Sequence, residues 1–354
     1  MTSRPQGVTQ PMTYKYSFFD DYSEGAHPHI LAALARTNLS QEVGYGKDSF
    51  CQEAARLLRE KVGNPDADIH FVVTGTQANL IACAAMLRPY ESVIAPVSGH
   101  IATHEAGAVE ATGHKITVIP TAQGRLSCPD IEQVVQEHTD EHMVKPRAVF
   151  IAHATEVSTM YTKAELHALS QLCRAQQLYL YMDGARLGAA LTAAEADLTL
   201  ADVSTVVDIF SIGGTKNGAL LGEAIVINHP TLKEHFRSYL KQRGALLAKG
   251  RVLGVQFVEL FKGDLYFDLA KHANAVAGKL SEGLNNQGYP CWIASTTNQI
   301  FPIFPHAVIG QLQVQYGFHV WANVDAAHSA VRLVTSWATP EAAVEEFLAD
   351  LRQL

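Results

Sequence analysis

The chain has 354 residues, 47% of them apolar and 18% charged, a balance that buries a sizeable core and excludes a mainly disordered protein. Its 27 basic against 35 acidic residues leave a net charge of −8, the wrong sign for a protein that grips nucleic acid by neutralising phosphates. Cys51, Cys83, Cys128, Cys173 and Cys291 stand far apart with no C-x-x-C pair, which argues against a disulfide framework or zinc cluster and for reduced, mostly buried thiols.

Residues 1–17 read as a polar leader without the apolar stretch of a secretory signal, and no run approaches the roughly 18 apolar residues of a membrane span. The expectation is a soluble cytoplasmic protein. Ser49-Phe-Cys-Gln52 fits a capping box, and Phe50, Ala54, Leu57 and Leu58 recur at helical spacing, so a first helix runs to about Val62. Short apolar runs follow at 69–73, 92–95, 115–119, 148–152, 178–182, 208–212 and 224–227, separated by helix-length segments. One of these is capped by Thr162-Lys-Ala-Glu165 and buries Leu166, Leu169, Leu172 and Cys173. Strands that are continuously apolar are covered on both faces, so residues 18–248 form a large α/β domain with a mostly parallel sheet between helices. Residues 249–354 change pattern: a helix from Tyr266 to about Asn285, an alternating strand-like QLQVQYGFHVW, and a last helix from Pro340. They read as a smaller α+β domain.

In an open α/β sheet ligands bind beyond the carboxyl ends of the strands. Four such places are unusual. After FVV, Gly75-Thr76-Gln77-Ala78-Asn79 opens an apolar helix and offers N–H groups and a hydroxyl to a phosphate; the plain alternative is a turn at Gly75 with Thr76 as helix cap. After LYLYM, Asp183 closes a buried strand and needs a partner, either a pyridinium N–H or the guanidinium of Arg186. After DIFSI, Gly213-Gly214-Thr215-Lys216 places an amine between glycines and apolar Ala219-Leu220-Leu221, where it could form a Schiff base; the alternative is an exposed loop lysine. After SVIAPVS, His100 could stack on a flat ring or titrate near neutrality, though with 16 histidines in the chain it could also be incidental.

A phosphate cradle, a strand-end aspartate, a Gly-flanked lysine and a stacking histidine are together the parts of a pyridoxal-phosphate site. In order and spacing, GTQAN at 75–79, GHIATHEAGA at 99–108, MDGARLG at 182–188, GGTKNG at 213–218 and VRLVTSW at 331–337 resemble the L-threonine aldolase group of the β-eliminating lyase superfamily, fold-type I pyridoxal-phosphate enzymes. The resemblance runs from about Phe18 to the C-terminus and includes the opening Asp20-Asp21-Tyr22-Ser23-Glu24-Gly25.

The resemblance implies a fold-type I transferase-like α/β architecture, pyridoxal 5'-phosphate as cofactor, no metal, and an aldolase that splits threonine, allo-threonine or a related β-hydroxy-α-amino acid into glycine and an aldehyde. Lys216 would hold the cofactor covalently, Asp183 would keep its pyridine nitrogen protonated, and His100 would stack on it. Gly75, Thr76, Gln77 and Thr215 would bind phosphate. Arg186 would contact the ring oxygen or the substrate carboxylate, and Arg332 would hold that carboxylate as a bidentate fork. A basic residue from a second subunit, Lys241 or Arg243 in KQRGALLAKG, would complete the phosphate site, so a homodimer or homotetramer with shared sites is expected. The alternative for that stretch is a solvated helix face.

The chain departs from the family pattern twice. The family's second histidine is replaced by Glu156 in His153-Ala154-Thr155-Glu156-Val157, and its usual serine contact falls on Phe19. Glu156 is a candidate base or a supporting group. Competing readings are a pyridoxal-phosphate β-lyase and a non-catalytic cofactor-binding regulator; a nicotinamide enzyme is disfavoured because no G-x-G-x-x-G follows the first strand.

Overall fold

The computed structural model describes residues 14–121 and 123–354. Most of the expected leader therefore lies outside the described residues, but Tyr16–Ser17 is not leader: it pairs in parallel with Tyr316–Gly317.

The apolar runs form a seven-stranded sheet in the order Asp68–Val72, Glu223–Ile227, Ile209–Gly213, Tyr179–Asp183, Lys145–Ala152, Glu91–Pro96, Lys115–Ile119. Glu223–Ile227 is antiparallel to both neighbours and every other pairing is parallel. Four of these strands are buried at every residue, as a doubly covered sheet requires. Leu58, Leu180, Phe210 and Phe257 pack in the core on one face, and Ala82, Tyr181, Ile225 and Phe236 in the core on the other. Helix Gly75–Met86, which buries seven of its residues, belongs to the second layer.

Helix Ser49–Val62 begins where expected but is capped differently. Asp48 accepts from Cys51 N at 2.8 Å, while Ser49 is the first helical residue and binds Glu42 through its N–H and hydroxyl. A carboxylate one residue earlier outcompetes the hydroxyl as acceptor. Thr162 and Glu165 make the expected reciprocal capping box on helix Lys163–Ala175.

The second sheet is antiparallel: Ile303–Pro305, His328–Val334 and His319–Asn323, with Gln299–Ile300 also on His328–Val334. The alternating QLQVQYGFHVW is not one strand. Gln311 and Leu312 end the helix His306–Leu312, which buries Ile309 and Leu312 on one side, and the strand breaks into Tyr316–Gly317 and His319–Asn323. Spacing of three apolar positions there beats the local alternation.

Helix Arg251–Phe261 and the start of helix Leu265–Asn286 put Phe257, Leu260, Phe261, Tyr266 and Leu269 into the large core. The small core instead takes Val276, Ala277, Leu280 and Leu284 from the same long helix, together with Phe18. We therefore propose that the small domain starts within this helix rather than at residue 249, and that it includes the strand near residue 16. The last helix is Glu341–Leu351, capped by Pro340.

Candidate active site

Two loops at the carboxyl ends of neighbouring strands meet backbone to backbone. A Cβ on Gly184 would lie 1.9 Å from Ser211 O, and one on Gly213 would lie 2.2 Å from Ala185 O. Only glycine permits that approach, and it brings Asp183 and Lys216 to one place. Asp183, 5% exposed, ends its strand and accepts from Asn79 Nδ2 at 3.0 Å and Ala185 N at 2.9 Å. Arg186 is not its partner. That guanidinium donates from Nε and Nη2 to Asp21 at 2.7 and 3.1 Å, and Asp21 also accepts from Asn298 Nδ2 at 2.9 Å. Burial opposes the Asp21 charge, but Arg186, Lys216 and Asn298 outweigh it and hold its pKa below the usual value. Asp183 is thus bonded to neutral donors only, an arrangement that suits a pyridinium N–H.

His100 opens a short helix after the strand Glu91–Pro96. Its Nδ1 lies 2.7 Å from Oε1 of Glu105, which also accepts from Asn79 Nδ2 at 2.6 Å. Asn79 Oδ1 in turn accepts from the Tyr181 hydroxyl at 2.5 Å. Asn79 therefore joins the His100–Glu105 pair to Asp183. Burial alone would lower the His100 pKa; its bond to Glu105, with the charges of Glu156, Asp183 and Glu105, overrides this and raises it. The Glu156 charge also pulls against burial at His104 and Arg186, upward in pKa for both, so it lies near the same groups.

Helix Gly75–Met86 points its N-terminus at this region, and the Gly75 and Thr76 N–H groups lead it without intrahelical acceptors. Its cap is Thr74, which accepts from Gln77 N at 3.1 Å, and not Thr76. Two expected phosphate contacts are engaged elsewhere: Gln77 binds Val73 N and Arg243 O, and the Thr215 hydroxyl accepts from Gly222 N at 3.0 Å. That leaves the Gly75 and Thr76 N–H groups as the unengaged donors at this helix start. Lys241 Nζ lies 4.9 Å from the Tyr45 ring centroid, and Arg243 meets helix Gly75–Met86 of its own chain through its carbonyl.

Arg332 comes from the small sheet. Its Nη2 donates to Phe19 O at 3.2 Å and Asp20 Oδ1 at 3.3 Å, its guanidinium lies 5.1 Å from the Trp321 ring centroid, and its Nε has no partner among the described residues. Burial first, then the positive Arg186, lower its pKa against Asp20, Asp21 and Tyr22. Phe19, expected where the family has a serine, packs edge-on against His319 at 4.7 Å. A cavity of about 540 Å³ beside Arg125, His153 and Asp197 contains none of these strand-end groups.

The family described as Beta-eliminating lyase matches residues 20–307. The chain is 33% identical over 339 residues to the low specificity L-threonine aldolase of Pseudomonas aeruginosa, covering 94% of this chain and 96% of that one, and 34% identical to its counterpart from a Pseudomonas species over the same length. It belongs to the β-eliminating lyase family. The solved threonine aldolase of Leishmania major superposes with a TM-score of 0.94 at 47% identity, covering 96% of this chain and 99% of that chain. An aspartate aminotransferase from Thermus thermophilus, 15% identical, shares the fold with a TM-score of 0.72. The architecture is that of the fold-type I pyridoxal-phosphate enzymes.

Within this lyase-family site, Asn79, Glu105 and Tyr181, together with Asn298 and Glu223, carry contacts that motif reading did not assign. Asn79 and Glu105 did lie inside quoted motifs, and a buried amide and acid next to a strand end are the signal that finds them. Asn298 carries no local signal.

Proposed function

We propose that this chain is a pyridoxal 5'-phosphate-dependent aldehyde-lyase that cleaves L-threonine, L-allo-threonine or a related β-hydroxy-α-amino acid to glycine and an aldehyde. The observation that carries this reading is the placement of Lys216, Asp183 and His100 at the carboxyl ends of parallel strands of one sheet, in a chain that matches threonine aldolases over nearly its full length. The residues fit the cofactor: an unclaimed helix N-terminus for phosphate, a carboxylate bonded only to neutral donors for the pyridine nitrogen, and an amine on the turn after the neighbouring strand. When bound, the cofactor supplies the electron sink for bond cleavage at the substrate's α-carbon.

The rest is work for this chain's own side chains. Lys216 would hold the cofactor through its side-chain amine. Asp183, fixed by Asn79, keeps a proton on the ring nitrogen. His100, fixed by Glu105, would cover the cofactor and exclude water. Arg186 stays locked to Asp21 and leaves its remaining guanidinium nitrogen for the ring oxygen, so the substrate carboxylate falls to Arg332. Glu156 and His100 face the space where a β-hydroxyl would stand, and we assign its proton to one of these two groups.

We further propose a homodimer or homotetramer in which Lys241 or Arg243 reaches a neighbour's phosphate site, working in the cytoplasm, where five free thiols stay reduced. The test is a panel of threonine, allo-threonine, phenylserine and serine with added cofactor. Release of glycine and aldehyde supports the aldolase; keto acid and ammonia would instead establish a β-lyase.

A further inference from the structure

Phe18 is fully buried in the small core, where its N–H donates to Gly317 O at 2.7 Å and its carbonyl accepts from Val334 N at 3.0 Å. The chain that leaves this anchor carries two acids in succession, and each meets a different arginine. Asp21, 1% exposed, is held at 2.7 and 3.1 Å by Arg186 and at 2.9 Å by Asn298. Asp20 is partly open to solvent, and its Oδ1 accepts from Arg332 Nη2 at 3.3 Å, a nitrogen that Phe19 O shares at 3.2 Å.

His319 and Arg332 are direct partners on adjacent antiparallel strands, so their side chains stand on one face. His319 Nε2 lies 3.8 Å from the same Asp20 Oδ1. Asp20 therefore sits between two cross-strand neighbours, bonded to one and about 1 Å short of a hydrogen bond with the other. Burial opposes the Asp20 charge, but His319, Tyr22 and Arg332 outweigh it and hold its pKa below the usual value. The group that faces Arg332 is a carboxylate. A largely buried guanidinium needs such a neighbour, yet a second carboxylate arriving on Arg332 is repelled by the first unless the first moves away.

We propose that Asp20 is a positioning residue that stands in for the substrate carboxylate on Arg332 and passes to His319 when that carboxylate binds, on the reading above that Arg332 takes it. The imidazole needs only an Nε2–H to receive Asp20, not a charge. Asp20 keeps the guanidinium in place between turnovers, and His319 lowers the cost of displacing Asp20. The buried Asp21, with three bonds, makes no such exchange.

The test is the dissociation constant of glycine, measured by calorimetry on the cofactor-loaded protein, with glycinamide, which lacks the carboxylate, as the reference ligand. Asp20→Asn keeps the shape and removes the competing charge, so glycine binds about fivefold tighter while glycinamide gains nothing. His319→Phe keeps a ring against Phe19 but leaves Asp20 without its second donor, so glycine binds about threefold weaker; in an Asp20→Asn background the same change has no effect. Glycine affinity that is unchanged or weaker in Asp20→Asn, a gain shared by glycinamide, or a His319→Phe effect that persists without the Asp20 carboxylate overturns the proposal. If Asp20→Asn does not fold, His319→Phe decides alone, and unchanged glycine affinity overturns the exchange. An Arg332→Ala variant that binds glycine as tightly as the wild type overturns the Arg332 reading instead.

Discussion

The wall of the site built on the seven-stranded sheet differs from the wall built on the small sheet in how fully its polar groups are already paired. On the large-sheet side Asp183, Asn79, Glu105 and Tyr181 are buried and hold one another at 2.5–3.0 Å, and they fix His100 at 2.7 Å. On the small-sheet side Arg332 makes two long bonds, at 3.2 and 3.3 Å, both from one nitrogen. The first wall is preorganised for a ligand that stays, and does not have to rearrange during the reaction. The second keeps most of a guanidinium fork in reserve for an anion that comes and goes.

The largest effect expected of any change on the preorganised wall is that of Lys216→Ala: turnover is abolished. Borohydride reduction followed by peptide mapping should label Lys216 in the wild type, and a label on another lysine would remove it from the site. Next comes Asp183→Asn. The amide preserves the bond from Ala185 N but cannot keep a ring nitrogen protonated, so kcat falls on the order of a thousandfold. The melting temperature should fall by only a few degrees, for the bond from Asn79 Nδ2 that the amide cannot accept. A melting temperature that falls in step with activity would make Asp183 a structural residue and erase the distinction between the walls.

These two residues were legible in the sequence because each breaks a local rule: an acid ends an apolar strand, and a lysine sits between glycines and leucines. Their supports were not. Asp21 meets Arg186 across 165 positions and Asn298 across 277, and no local pattern encodes such a meeting. The sheet was legible because doubly buried strands show as uninterrupted apolar runs; helix His306–Leu312 was hidden because glutamines and apolar residues alternate across its end like a strand. The side-chain engagements of Gln77 and Thr215 were not legible for one reason: a side chain in a glycine-rich turn can be bonded within the turn it helps build.

On the small-sheet wall, Arg332→Ala removes two charge-assisted hydrogen bonds to the substrate carboxylate and should lower kcat/KM about a hundredfold, with cofactor still bound. Arg332→Lys restores part of this, because a point charge does not reproduce the fork. Unchanged kcat/KM in Arg332→Ala would leave the small-sheet wall without a carboxylate partner.

The smallest effect sharpens the comparison most, because it asks whether the paired wall depends on its buried acid. Glu105→Gln can still accept from Asn79 but removes the negative charge beside His100. In the wild type the folded-state pKa of His100 is raised above its ordinary 6.5, so the protonated imidazole adds to stability. That contribution is fully present below about pH 6.5 and is lost as pH rises through the raised value. In the Glu105→Gln variant the bond and charge of Glu105 are lost, burial is opposed only by Glu156 and Asp183, and the His100 pKa falls from its wild-type position. Proton NMR of the His100 ring should record this drop. Chemical denaturation should show the wild type more stable than the variant by about 1 kcal/mol in mild acid, with the gap closing as pH rises past the His100 midpoint. A His100 titration that is the same in both proteins would mean that the 2.7 Å contact does not set its charge, and that the large-sheet wall is ordered by packing rather than by its hydrogen bonds.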